Sequence, residues 1–321
     1  MTKIRVGVMR GGLGSEYFIS LKTGANILAS LPRDQYEPHD ILITRTGEWF
    51  VDGMKTTPDK LLRYIDVVFN ALHGEFGEDG KVQRILGMFG IPYTGSTSVP
   101  SAIGMNKKLA KKHFQSIDIR VPRGVTASRN EDVQDVMDRV RSVIRAPYVV
   151  KPVSGGSSIG LTFVKKDQDL IPAIEGALAY GEAALIEEFV RGRELTVGVI
   201  DSRNGQGAYT TSPLEILLPE ETLYDFDQKY TNEIHPVGPA RMHDWERKEL
   251  EKMAFSAHKH LGARHYARYD FILSEHGPCL LEVNTLPALS ESALLPKSLQ
   301  LQGLSVAEFS DYILKLALQK K

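Results

Sequence analysis

Arg268-Tyr269-Asp270-Phe271-Ile272-Leu273-Ser274-Glu275-His276-Gly277-Pro278-Cys279-Leu280-Leu281-Glu282-Val283-Asn284 reads as two apolar strands, 267–273 and 279–283, around a short polar turn, the pattern of a hairpin. Glu282 and Asn284 are two apart, so both side chains leave the same face of their strand. A three-residue turn through Glu275-His276-Gly277, with Gly277 at positive φ, pairs Ser274 with Pro278. Asp270 then falls opposite Glu282 and Arg268 opposite Asn284; an even-length loop would break that alignment. Two carboxylates and an amide oxygen on one face are hard ligands for Mg²⁺, and an arginine beside them suits a phosphate. The plainer alternative is a surface ladder of polar residues. Asp270 sits between Tyr269 and Phe271-Ile272-Leu273, which is a poor setting for a freely solvated strand.

Outward from this hairpin the chain alternates strands and helices. Residues 4–9 read as a strand, followed by the turn Gly11-Gly12 and a helix with Ile19, Leu21, Ala25, Ile27 and Leu28 at helical spacing. Strands at 40–44 and 67–70 follow, with Ile91-Pro92-Tyr93 closing the unit. This rhythm predicts a parallel sheet with helices on its faces. The turn-rich stretch 95–100 is a first boundary, and Arg191-Gly192-Arg193 a second. Between them lie a helix around 107–114, strands at 146–151 and 161–164, and a strand at 184–187. Beyond them come strands at 194–200 and 214–217, a polar stretch 219–239, a helix around 243–261, the hairpin, and a closing helix near 306–319. The fold class is α/β in three domains, 1–98, 99–191 and 192–321.

The chain has 321 residues with 39 Lys+Arg against 40 Asp+Glu, a net charge of −1. That balance excludes a basic nucleic-acid surface or an anionic-membrane surface as the dominant design. One cysteine, Cys279, excludes an internal disulfide and a cysteine zinc cluster, and it reads as a packing residue. The nine histidines show no metal-binding spacing. No run approaches 18 apolar residues, and the N-terminus lacks a signal-peptide core. The expected address is the cytoplasm, with small-molecule substrates and neither nucleic acid nor membrane as partner.

Three further loops carry polar groups. Gly11-Gly12-Leu13-Gly14-Ser15-Glu16 does not complete a dinucleotide fingerprint. It is either a tight turn into a helix or a polar surface of backbone N–H groups with Glu16 at the helix start. His73-Gly74-Glu75-Phe76-Gly77-Glu78-Asp79-Gly80-Lys81 fails the phosphate-loop pattern but follows an apolar strand, where open α/β sheets place ligands. Gly156-Ser157-Ser158-Ile159-Gly160 matches G-x-S-x-G, yet Leu161-Thr162-Phe163-Val164 continue as a strand, not the helix a nucleophile elbow requires. A flap wrapping phosphate, with Lys151 supplying charge, fits better. Lys107-Lys108 and Lys111-Lys112 read as a solvated helix face, with Lys107 at its start able to reach a phosphate.

Taken in order and spacing, these segments resemble the D-alanine–D-alanine ligase family of ATP-grasp enzymes over essentially the whole chain. The landmarks are Gly11-Gly12…Ser15-Glu16…Ser20, His73-Gly74…Gly77-Glu78-Asp79-Gly80…Gln83, Pro92-Tyr93-Thr94-Gly95-Ser96, Lys151-Pro152 with Gly156-Ser157-Ser158-Ile159-Gly160, Glu187-Glu188, Tyr224-Asp225…Lys229-Tyr230, Arg268…Asp270 and Glu282-Val283-Asn284-Thr285. The resemblance implies a Rossmann-like N-terminal domain and two α+β domains gripping ATP. It implies ATP-dependent ligation of two D-alanines through a D-alanyl phosphate, for peptidoglycan precursors, by a homodimer. Lys107 and Lys151 would lie on the phosphates, with Ser158 in the flap. Glu187, Glu188 and Val190 would bind adenine, and Glu194 the ribose. Asp270, Glu282 and Asn284 would hold two Mg²⁺, with Mn²⁺ able to substitute. Glu16 would hold the first ammonium and Lys229 the second carboxylate. Arg268 would stabilise the oxyanion with a backbone N–H near Ala288, and Ser157 and Tyr230, bonded with Glu16, would close the lid and exclude water.

The chain departs from the family pattern at Gly14, Tyr17-Phe18, Arg84 and Asn106, and at the acceptor end, where Pro287-Ala288 replaces Pro-Gly and Ala293 replaces serine. Those last two changes leave open a ligase with a different amino-acid or peptide acceptor. A non-catalytic nucleotide-binding relative is the other alternative, disfavoured by the complete metal trio.

Overall fold

The structure, a computed structural model, describes residues 2–156, 159–202, 207–217 and 236–319. Strands β1 (Ile4–Gly11), β2 (Tyr36–Ile43), β3 (Trp49–Val51), β4 (Met54–Thr56) and β5 (Val67–Asn70) form the first sheet, in the order β4-β3-β2-β1-β5. β1 runs parallel to β2 and β5, as the strand–helix rhythm predicts. The β3–β4 hairpin adds an antiparallel edge. Strands of three residues show too little alternation to be read from sequence. Helices α1 (Tyr17–Ser30), α2 (Pro58–Leu61) and α3 (Lys81–Met88) accompany this sheet.

Two helices follow, α4 (Ser98–Met105) and α5 (Lys107–Gln115). Ser98 to Pro100 thus opens a helix, where the sequence reads as turn. Asn106 caps α5, its side chain accepting from the Leu109 N–H. The buried stripe of α5 is Ala110, Lys111 and Phe114, so the expectation of a fully solvated lysine face fails at Lys111. Ala110 and Phe114 pack into the core of the third sheet.

The second sheet is antiparallel, β6 (Gly124–Ser128), β7 (Tyr148–Pro152), β8 (Thr162–Val164) and β9 (Ala183–Glu188), ordered β6-β9-β7-β8. Helices α6 (Val133–Val143) and α7 (Leu170–Leu178) pack against it through Val136, Met137, Val140, Leu170, Ala173, Ile174 and Ala177. Asp132 accepts from the N–H groups of Gln134 and Asp135, capping a helix not marked in the sequence reading. The glycine-serine loop joins β7 to the antiparallel strand β8, which rules out the nucleophile-elbow context.

β10 (Arg193–Asp201), β11 (Ala208–Thr210), β12 (Leu214–Ile216), β13 (Pro236–Val237), β14 (Tyr266–Ser274) and β15 (Gly277–Asn284) make the third sheet, ordered β13-β12-β10-β14-β15 with β11 also on β10. Along β10, Leu195, Val197 and Val199 point one way, into a core with Tyr269, Phe271, Leu280 and helix α8 (Asp244–Leu261). Glu194, Thr196 and Gly198 therefore face the other way, as do Arg268 and Asp270.

The central hairpin reaches its predicted pairing by a different route. Ser274 pairs with Gly277, so the loop is the two residues Glu275 and His276, an even length. That register continues through Phe271 opposite Leu280, and then a β-bulge leaves Leu281 over, so that Asp270 opposes Glu282 and Arg268 opposes Asn284. The extra residue restores the alignment that an even loop alone would have lost. Gly277 does take positive φ, +92°, as the turn requires.

After the hairpin the chain returns to the first sheet. Helix α9 (Leu294–Gln300) contributes Leu295 and Leu299, and α10 (Val306–Ala317) contributes Phe309, Ile313 and Leu314, to the core around Val6, Val8, Ile27 and Phe69. Ser305 and Glu308 form a capping box at the start of α10. Phe309 is 1% exposed and meets Tyr266 edge-to-face at 5.2 Å. Phe309→Ala is expected to cost about 3–5 kcal/mol in a denaturant titration, because it opens a cavity where three elements meet.

Candidate active site

The sheet's open face presents a row of three residues in register: Thr196 on β10, Asp270 on β14 and Glu282 on β15. Asp270 is buried, and its carboxylate is the acceptor for four donors. Arg268 grips it as a fork, Nε to Oδ1 at 2.9 Å and Nη2 to Oδ2 at 2.8 Å. Thr196 Oγ1 donates to Oδ1 at 2.6 Å and Asn284 Nδ2 to Oδ2 at 3.0 Å. A charge this deep is tolerated only when so paired. Thr196 carries no sequence signal of its own; only the three-strand register reveals it.

Asp270 and Glu282 line one cleft with Lys107, Lys151, Glu187, Glu188, Val190 and Glu194. The floor of this cleft is the third sheet and its roof is the β7–β8 hairpin. Lys107 Nζ lies 3.9 Å from Glu282 Oε2 and donates to the Gly155 carbonyl at 2.5 Å. Lys151 Nζ is 2.8 Å from Glu187 Oε2, and Lys111 Nζ 2.6 Å from Oε1 of the same carboxylate. Burial opposes the Glu187 charge, but the two lysines outweigh it and hold the carboxyl below its usual range. Burial likewise opposes the Lys151 charge, and Glu187 with Glu282 raises the amine above its ordinary value. At Lys111 burial wins and the pKa falls. Glu188 turns its side chain to a fork from Arg123, Nε at 2.9 Å and Nη2 at 2.7 Å.

Two carboxylates and an amide, all oxygen donors without thiolate or imidazole, suit a hard divalent cation. Among the described residues no cluster of three His, Cys, Asp or Glu side chains could hold a metal, so any such ion here relies on the amide of Asn284. Asn284 gives its Nδ2 to Asp270, which leaves its oxygen as the atom it can offer a cation.

A second cleft opens beside the first, lined by Gly14, Ser15, Glu16, Glu75, Asp79 and Gly156. Glu16 is the N-cap residue of α1 and is buried. Gly74 and Gly156 come so close that a Cβ on either would collide with its carboxylate. Glu78, half-buried, accepts from the Gly74 N–H at 2.9 Å and the Leu286 N–H at 3.0 Å. Burial and the neighbouring Glu16 push the Glu78 carboxyl up to about 8. Next to it, His73 is buried and held neutral, its pKa pushed down to about 4 by desolvation. The sequence reading assigned no role to Glu78 or His73, which the structure brings together at the Leu286 backbone, with Glu78 beside Glu16. Their place in a glycine- and acid-rich loop after β5 was the available signal. Ser157, Ser158, Lys229 and Tyr230 lie outside the described residues. Cys279 is buried with its thiol pushed up to about 11 by burial, which fits packing and not nucleophilic chemistry.

Family models described as D-ala D-ala ligase N-terminus and D-ala D-ala ligase C-terminus match residues 52–96 and 114–315. The chain is 37% identical to the D-alanine–D-alanine ligase of Geobacter sulfurreducens, over 97% of this chain and 93% of that one. It is 34% identical to that of Desulforamulus reducens, over 99% of both. Among solved structures, the VanG D-Ala:D-Ser ligase of Enterococcus faecalis superposes with a TM-score of 0.87 at 27% identity, covering 98% of this chain and 100% of that one. The D-alanine–D-alanine ligase of Bacillus anthracis complexed with ATP superposes with a TM-score of 0.81 at 28% identity, covering 98% and 97%.

The depressed pKa of His73 has a defined sign. Between 6.5 and about 4 the unfolded chain binds a proton that the folded chain does not. The stability His73 contributes is complete above pH 6.5 and is lost as pH falls through 4, about 3 kcal/mol in all. His73→Gln removes this term, so denaturation curves of variant and parent at pH 7 and pH 4 should converge toward acid. Parallel curves would contradict the assignment.

Proposed function

The chain belongs to the D-alanine–D-alanine ligase family, and from that premise we propose that it ligates two D-alanines to D-alanyl-D-alanine with ATP, for peptidoglycan precursors. One observation carries the reading: Asp270 and Glu282 oppose each other on a strand pair, across a cleft from Lys107 and Lys151. ATP lies in that cleft, its phosphates against the two lysines and the Ser158 flap. Its adenine lies against Glu187 and the backbone of Glu188 and Val190, and its ribose against Glu194.

The first D-alanine, its ammonium on Glu16, attacks the γ-phosphorus through a carboxylate oxygen, releasing ADP and forming an acyl phosphate. The amine of the second D-alanine, its carboxylate on Lys229, attacks the acyl carbon. The tetrahedral intermediate collapses with loss of inorganic phosphate and of the amine's proton, leaving the peptide bond. Arg268 and the Ala288 N–H face the oxyanion, supplying donors where charge develops. Ser157 and Tyr230 close over the acyl phosphate and keep water out. Asp270, Glu282 and Asn284 would hold two Mg²⁺, which when bound neutralise phosphate oxygens and polarise the γ-phosphorus. Among the described residues no helix is long and apolar enough to cross a membrane. The proposed setting is the cytoplasm, as a homodimer.

Coupled ADP release with D-alanine, L-alanine and D-lactate tests this reading, and the absence of ADP release with all of them would instead indicate a non-catalytic nucleotide-binding relative. Glu282→Gln changes one half-buried ladder residue isosterically, so it should fold normally yet lose roughly a hundredfold or more in rate. Near-normal rates in that variant would remove Glu282 from the metal site.

A specific observation keeps a second acceptor in view. Ala293 is the N-cap residue of α9, with no side-chain hydrogen bond to the helix. A hydroxyl there would offer the acceptor carboxylate a bond worth roughly 1–3 kcal/mol. Ala293→Ser should therefore lower the acceptor Michaelis constant about tenfold if D-alanine is the acceptor, and also stabilise the helix by about 1 kcal/mol. Stabilisation without the kinetic gain would point to Ser292 in that role or to another acceptor, and assays with carboxylate-free acceptors separate those two.

A further inference from the structure

The loop after β15 carries the Ala288 N–H, and its backbone is held by side chains more than two hundred residues away. At Leu286, the N–H donates to Glu78 Oε1 at 3.0 Å and the carbonyl accepts from His73 Nδ1 at 2.9 Å. At Leu289, the N–H donates to Thr23 Oγ1 at 3.3 Å and the carbonyl accepts from Asn26 Nδ2 at 2.6 Å. Both residues flanking Pro287-Ala288 are thus tied, through backbone donor and acceptor alike, to the N-terminal unit. Pro287 removes one of the remaining backbone torsions.

The bonds also have a fixed direction. His73 is neutral, and its Nδ1 faces a carbonyl, so Nδ1 carries the proton and Nε2 accepts from the Thr23 hydroxyl at 2.9 Å. Thr23 gives its proton to His73 and accepts the Leu289 N–H, which joins the two ends of the loop through one chain of hydrogen bonds. Thr23 and Asn26 lie on α1, seven and ten residues after Glu16, on one side of the helix.

We propose that α1 is a positioning element, through Thr23 and Asn26, that couples the first-substrate end of the site to the acceptor-side loop. Glu16 sits at the N-terminus of the same rigid rod whose next turns hold the loop, so a shift of α1 on binding the first substrate reorients the Ala288 N–H directly. Apolar burial of Leu286 and Leu289 fixes where the loop lies; only the four polar bonds fix how its peptide planes are turned. This inference rests on the roles proposed above for Glu16 and Ala288.

Thr23→Val keeps the shape and removes the hydroxyl, Thr23→Ser keeps the hydroxyl, and Asn26→Asp replaces the donor with a carboxylate facing a carbonyl. The full chain is assayed for ADP release with D-alanine, resolving the two D-alanine Michaelis constants. Expected for Thr23→Val and Asn26→Asp are a tenfold or larger fall in kcat and a severalfold rise in the acceptor constant. The ATP and first-site constants should stay within twofold, and Thr23→Ser should restore most of the rate. A merely structural role would lower the melting temperature and leave the ratio of the two D-alanine constants unmoved, and that result overturns the proposal. If the parent enzyme itself shows no D-alanine-dependent ADP release, the ligase reading fails separately. Amide exchange across 285–289 then decides: faster exchange in Thr23→Val and Asn26→Asp supports the coupling, and unchanged exchange overturns it.

Discussion

The Asp270 carboxylate, taken out of water and surrounded by four donors, is the interaction on which the rest of the site is built. Its partners come from three strands, Thr196 on β10, Arg268 on β14 itself and Asn284 on β15. Those strands must keep one register for all of them to meet it. A slip of one residue would turn Glu282 toward the core and leave a buried charge underpaired, at a cost of several kcal/mol. The bulge at Leu281 is what reconciles a two-residue turn with that register. Bulges recur beside active sites because they re-aim side chains without lengthening the sheet. Here the bulge brings a second carboxylate onto the same face.

Around this centre the charges are arranged in layers. Lys107 and Lys151 face the carboxylates across the cleft, and Glu187 is pinned behind Lys151 by a second cation, Lys111. Three charges lie nearly dehydrated in one contact group; the ionised forms of Glu187 and Lys151 are favoured by their partners, whereas at Lys111 the cost of burial outweighs the attraction of Glu187. The arrangement keeps Lys151 extended toward the cleft instead of folded back onto the surface. Glu188, adjacent in sequence to Glu187, points to Arg123 at the rim, since successive residues of a strand leave opposite faces.

The chain's path explains why the site lies at a seam. After building the third sheet it returns to the first, and α9 and α10 complete the core around Val6, Val8 and Phe69. The connecting loop, 285–293, is fastened to the N-terminal unit by Glu78, His73, Thr23 and Asn26. The roof of the cleft is a separate antiparallel sheet with its own core.

Much of this was legible in the sequence because it rests on local periodicity. The parallel core strands, the two glycine-rich loops, the hairpin and the alternation of Arg268 with Asp270 and of Glu282 with Asn284 follow from period-2 and period-3.6 patterns. The order of the motifs was enough to reveal the family. The short β3–β4 edge escaped because three residues carry almost no periodic signal, and the true loop length of the hairpin escaped because a later bulge compensated for it. Lys111 reads as a solvent-facing charge until its neighbour Ala110 and Phe114, one turn on, are seen to enter a core. Thr196, Thr23 and Asn26 are ordinary polar residues in ordinary elements. Their roles come from partners about 75 to 265 positions distant, and only the packed chain brings such partners together. Sequence alone determined which chemistry the chain carries, since residue types and spacings are local. Tertiary structure decided which groups hold that chemistry in place, since the bonds that orient a buried peptide or carboxylate are made across the fold.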